Sequence, residues 1–176
     1  MNRNTLQTLA EELSVQHRQV RKKYIGKSLG KFAISRSARS RFEKNCSVLE
    51  REYFADKISD SASEWLVENY NLITLRLDEI AKQIRHIPSG IPVLKEGLMS
   101  GFPRIYAIAV EFIDFTAGIV TQDALVQFLQ DYQKQTPLTV DELWSVSCAF
   151  SLALARNILA LAGRRCAALY AENTAS

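Results

Sequence analysis

Gly26, Lys27 and Ser28 stand in the order that closes a phosphate-binding loop, where a glycine-rich turn points backbone N–H groups at phosphate and the lysine meets its charge. Position 21, where the first glycine of such a loop belongs, is arginine, and no strongly apolar strand leads into it, so no nucleotide site is expected. His17 and His86 are far apart in sequence, with no His or Cys at the i, i+3 or i+4 steps of a helical metal site. Glu111 and Asp114 are three residues apart, a spacing that would suit paired carboxylates in acid–base chemistry. They read here as salt-bridge partners, because ion-pair networks place carboxylates in the same way. Cys46, Cys148 and Cys166 are odd in number and match neither a disulfide framework nor a zinc ligand set, which points to reduced thiols in a cytoplasm. No catalytic residue, cofactor, metal or small-molecule ligand is therefore assigned from the sequence.

Charge gives a further candidate. Residues 1–57 hold 13 Lys and Arg against 6 acids, whereas residues 58–176 hold 9 against 13. Between Glu12 and Glu43 there is no carboxylate, while Arg18, Arg21, Lys22, Lys23, Lys27, Lys31, Arg36, Arg39 and Arg41 accumulate. Such a segment repels itself and seeks anions. It has three readings: a solvated linker, a surface that leans on an anionic membrane leaflet, and a nucleic-acid contact. The last is the weakest, since only Tyr24 and Phe32 interleave aromatic rings with the charges.

The elements that must carry these residues are helical. Seven glycines and four prolines in 176 residues leave long stretches without the punctuation that strands and tight turns need. A first helix is expected over 4–24, a basic linker over 25–37 and a second helix over 38–58. The third starts at Ser61 and Glu64, a capping box, and runs through Leu66, Ile73, Leu77, Ile80, Ile84 and Ile87 to Pro88. Pro103 suits the first turn of a fourth helix, apolar nearly all round as far as Gly118. Thr121 caps a fifth, and Thr139 with Glu142 forms a capping box that opens a sixth, running to Gly163 and on towards Glu172.

The expected fold is an all-α, single-domain bundle of about six helices around a hydrophobic pair at about 103–117 and 140–163. Residues 1–59 form its basic N-terminal part and 60–176 its helical core, packed as one unit. Val146–Ala162 approaches a membrane span, but Arg156 and Asn157 inside it favour a buried core helix. Arg104, Glu111, Glu142, Arg156 and Asn157 interrupt core helices, where an unpaired charge costs several kcal/mol, so they need partners. Arg156 is expected to pair with Glu111 or Glu142. The N-terminus has no apolar run of signal-peptide length, in keeping with a cytoplasmic chain.

Three ordered blocks, SASEWLVENYNLI, SGFPRIYAIAVEFI and YQKQTPLTVDELWSVS, resemble the N-terminal region of cyclic β-1,2-glucan synthases. The resemblance rests on Trp65, Leu66 and Asn69, on Pro103, Arg104 and Tyr106, and on Pro137, Leu138, Thr139, Glu142, Leu143 and Trp144, and it covers about residues 60–163. Glu111 and Asn157 lie in the same stretch. The chain departs from the family at Phe115 and Ala117, where His and Asp are usual, and at Ser151 and Arg156, where the family has Arg and Glu. The resemblance implies a large inner-membrane enzyme that builds and cyclises glucan from UDP-glucose on its cytoplasmic side. This chain has no DxD pair, no Gln-x-x-Arg-Trp element and none of the family's transmembrane segments. It is thus expected to be a non-catalytic accessory domain whose partners are the rest of the synthase and the anionic membrane surface. The alternative is a free-standing helical module that binds a protein or nucleic acid through its basic half.

Overall fold

A computed structural model describes residues 3–22, 32–58 and 60–175. Among them are eight helices: α1 (Arg3–Gln16), α2 (Arg36–Phe54), α3 (Ser61–Glu68), α4 (Tyr70–Ile84), α5 (Arg104–Phe115), α6 (Gln122–Gln133), α7 (Val140–Trp144) and α8 (Val146–Ala175). Two three-residue strands, β1 (Val20–Lys22) and β2 (Pro92–Leu94), pair antiparallel with Val20 opposite Leu94. The protein is an all-α bundle.

The count exceeds six because two expected helices are broken. The third divides at Asn69, where the backbone turns to φ −99°, ψ 9° and the Nδ2 donates to the carbonyl of Trp65 at 2.9 Å. The sixth divides at Ser145, whose Oγ donates to the carbonyl of Asp141 at 2.7 Å. Two starts also differ from expectation. Asp60, not Ser61, caps α3, accepting from the Ser63 N–H at 2.9 Å while it pairs with Arg165 at 3.2 Å; that second contact, from α8, selects the carboxylate over the hydroxyl. Pro103 precedes α5 as its N-cap and bridges Val93.

α1 ends at Gln16, short of the expected residue 24, because the chain extends to pair with β2 and Lys95 N donates to the carbonyl of Gln19 at 3.1 Å. The expected basic linker falls mostly outside the described residues, as do the Gly26–Ser28 motif and Lys23, Lys27 and Lys31. Gly163 does not end the last helix; it lies inside α8 against Asn45 of α2, and a Cβ there would stand 3.6 Å from Asn45 Nδ2.

α5 and α8 make the central pair, with α2 and α4 also packed on α8 and α1 packed on α6. One buried cluster runs from Leu6 in α1 to Ala162 in α8, so both halves of the chain contribute to one core. By length and composition Val146–Glu172 is the one helix among the described residues that could cross a membrane. In the bundle it is clasped by α5, α2 and α4, and its Arg156 is bonded inward.

Candidate functional site

The turn after β2 delivers the chain to α5. Gly97 (φ 82°) and Gly101 (φ 87°) take the left-handed conformation that a side chain would strain, and Gly101 N donates back to the Leu94 carbonyl at 2.9 Å. This aims Arg104 inward at the start of α5. Its Nε and Nη2 donate to the two oxygens of Glu142 at 2.8 and 2.6 Å, and Nη2 also reaches the Pro137 carbonyl at 3.1 Å. Burial acts to lower the pKa of Arg104, but the bonds to Glu142 outweigh it and raise the value.

Glu142 is 0% exposed and closes the expected capping box: its Oε2 accepts from Thr139 N at 2.8 Å, and its own N–H donates to Thr139 Oγ1 at 3.3 Å. A five-residue helix has little stability of its own, so this network is what fixes α7 on the bundle. Glu142 is therefore taken by Arg104 and not by Arg156, contrary to expectation. Arg156 donates instead to Tyr106 Oη at 2.9 Å and to the Phe32 carbonyl at 2.9 Å, with its guanidinium 5.2 Å from the Tyr106 ring centre.

A second layer of polar groups lies behind Arg104. Thr136 Oγ1 donates to the Ser14 carbonyl at 2.7 Å, and the rings of His17 and Tyr132 lie 6.1 Å apart. His17 Nδ1 and Tyr132 Oη are buried without a partner among the described residues. Burial, and then the charge of Arg104, hold the His17 pKa down at about 4, so the ring is neutral near pH 7. Since an unfolded histidine protonates near 6.5, the stability tied to neutral His17 is complete above that pH and is lost as pH falls towards 4. Between pH 7.5 and 5 the loss is about 2 kcal/mol. Urea unfolding of the wild type and of His17→Gln at the two pH values should show the wild type losing about 2 kcal/mol more on acidification; parallel losses would contradict this.

What the buried network holds out to solvent is the other side of α7. Trp144 is 82% exposed, and Val140 and Leu143 are also exposed. Trp144, Val140, Asp141 and Ser147 face Gln83, His86 and Pro88 across a hollow of about 560 Å3 at the C-terminal end of α4. A smaller hollow of about 260 Å3, lined by Ser89, Gly90, Pro92 and Thr139, shares Val140 and Asp141 with it. The His86 Nδ1–H donates to the Lys82 carbonyl at 3.0 Å, which leaves Nε2 without a bond among the described residues. Cys148 also borders the groove, but burial pushes its pKa up to about 11, so it presents an inert thiol.

The other residues singled out in the sequence do not converge here. Trp65 is partly exposed on α3, Asn69 makes the α3–α4 break, and Tyr106 is buried edge-on to Phe32 at 5.1 Å. Glu111 and Asn157 are half-buried on α5 and α8. Of the basic residues, Arg18, Arg21, Arg36 and Arg41 are exposed. Arg39 is bound to Asp78 on α4 and to Glu43. The side chain of Lys22 lies outside the description. Phe32 is buried and offers no ring to a nucleic-acid base. The groove itself escaped the sequence reading; its signal was Trp144, two residues beyond a buried Glu142.

Among the described residues, no group of three or more His, Cys, Asp or Glu side chains is placed to hold a metal ion. Fold and groove together define an all-α helical module with an aromatic-edged surface site. No family model and no solved structure matches the chain. It is similar to the cyclic beta-(1,2)-glucan synthase NdvB of Rhizobium meliloti (strain 1021), at 26% identity over 106 residues. That match covers 58% of this chain and 4% of the relative, so it concerns a small part of a much longer protein.

Proposed function

We propose that this chain is a non-catalytic helical accessory module of a cyclic β-1,2-glucan synthase-like system that uses UDP-glucose. It acts as a scaffold on the cytoplasmic side of a bacterial inner membrane. The observation that carries the reading is the similarity to a short part of the glucan synthase. Arg104 and Glu142 join α5 to α7, and Tyr106 receives Arg156 of α8, so these residues serve packing within the bundle and not chemistry. Arg18, Arg21, Arg36 and Arg41 are exposed and so open to an anionic leaflet, at about 1 kcal/mol for each that comes near the lipid.

The test is an exchange in the relative. The matching segment of the synthase is replaced by this chain, and cyclic glucan formed from UDP-glucose is measured in membranes. The chimera is expected to make glucan, while deletion of the segment abolishes synthesis. A stably expressed, membrane-inserted chimera that makes none would overturn the proposal, as would a deletion that leaves synthesis unchanged.

A further inference from the structure

We propose that the groove beside Trp144 binds a β-linked glucan chain, with the indole as stacking platform and Gln83, His86, Asp141 and Ser147 as hydroxyl partners. This rests on the reading of the chain as a glucan-synthase module and names the ligand of that module's surface site.

The argument starts from an indole that the fold does not use. An 82% exposed tryptophan leaves most of its apolar area in water, yet α7 is fixed by Glu142 and needs nothing from the ring. A pyranose in the β-gluco configuration presents a face of C–H bonds, and these suit the negative face of an indole. Its hydroxyls point outward around the ring edge and need donors and acceptors there. The groove supplies both kinds. The Gln83 amide donates and accepts, the Asp141 carboxylate accepts, and the His86 ring and the Ser147 hydroxyl can each take part as donor or acceptor. The side chains of Gln83, Asp141 and Ser147 bond no other side chain or backbone group among the described residues.

Size and shape point to a chain of sugars. The main hollow falls within the range of small-ligand sites, and the second continues it past Val140 and Asp141 towards Ser89. A ligand that fills both must be extended, as an oligosaccharide is.

The experiment uses the full chain carrying Trp65→Phe, which leaves Trp144 as the only indole. Linear β-1,2-glucan oligosaccharides are titrated in while Trp144 fluorescence is followed, with calorimetry as a label-free check. The expected result is a saturable change in fluorescence and a calorimetric Kd that weakens about tenfold or more in Trp144→Ala. Gln83→Ala and Asp141→Asn should each weaken binding without changing the fold. All three side chains lie at the surface, so circular dichroism and thermal midpoints should match the parent. No saturable response, or binding that Trp144→Ala leaves intact, overturns the proposal; a groove built for a protein segment would give the first of these. The two readings fail separately. No glucan binding with an active chimera removes the groove assignment alone, whereas binding with an inactive chimera removes the module reading and leaves a glucan site.

Discussion

Arg104→Met is expected to destabilise the protein by about 3–5 kcal/mol, because it leaves Glu142 as a buried carboxylate without its counter-charge. A protein of this size has roughly 5–15 kcal/mol of stability in all, so the variant should melt roughly 6–20 °C below the wild type. The second substitution separates causes. In Arg104→Met with Glu142→Gln the buried charge is gone, and the amide oxygen can still accept from Thr139 N as the carboxylate does at 2.8 Å. The double variant should therefore recover more than half of the loss. It should not recover all of it, since the Pro137 carbonyl has also lost its bond from Nη2. Equal instability of the single and double variants in chemical denaturation would show that the guanidinium acts through packing and not by neutralising Glu142.

The same pair shows where a sequence can be read and where it cannot. The Thr139–Glu142 capping box is local, three residues apart, and formed as expected. The Ser61–Glu64 box looked equally good, yet Asp60 took the cap because Arg165, about a hundred residues away, draws its carboxylate. Helix faces at periods of three and four were legible for the same reason: Ile73, Leu77, Ile80 and Ile84 are all buried as their spacing requires. Breaks were not. Asn69 and Ser145 are where the helices break, each with its side chain on a carbonyl four residues back, but Ser47 and Thr74 make the same bond inside unbroken helices, so a helical pattern does not reveal the break. β1 was least legible of all, since three residues in a basic stretch become a strand only through a partner some seventy residues on.

Charge partners follow the same logic at longer range. The need for a partner could be read from a charge inside an apolar helix, and Arg104, Glu142 and Arg156 all have one. Which partner could not be read, because it depends on how α5 sits against α7 and α8. Trp144 belongs with these cases. The resemblance singled it out without saying where it points; the bond network of Glu142 two positions earlier leaves it facing outward, beside the groove.

Phe112→Ala is expected to cost about 3–5 kcal/mol and to loosen one layer of the bundle before the other. Phe112 on α5 is fully buried, and its ring meets Phe128 of α6 at 5.0 Å and Phe150 of α8 at 5.6 Å, both near edge-to-face. It is thus the wedge between the α5–α8 pair and the layer formed by α1 and α6. That layer is held to itself by the Thr136–Ser14 bond and the His17–Tyr132 contact, which the substitution leaves alone. A cavity at position 112 should therefore let α1 and α6 move as a unit, and their amides should lose hydrogen-exchange protection ahead of those in α4 and α8. Phe112→Leu keeps most of the apolar volume and loses the two ring contacts, about 1–3 kcal/mol together. If alanine and leucine cost the same, ring geometry and not volume fixes the layer. If protection falls evenly in all helices, α1 and α6 are no separate layer, and the core that holds Arg104 against Glu142 is one cooperative body.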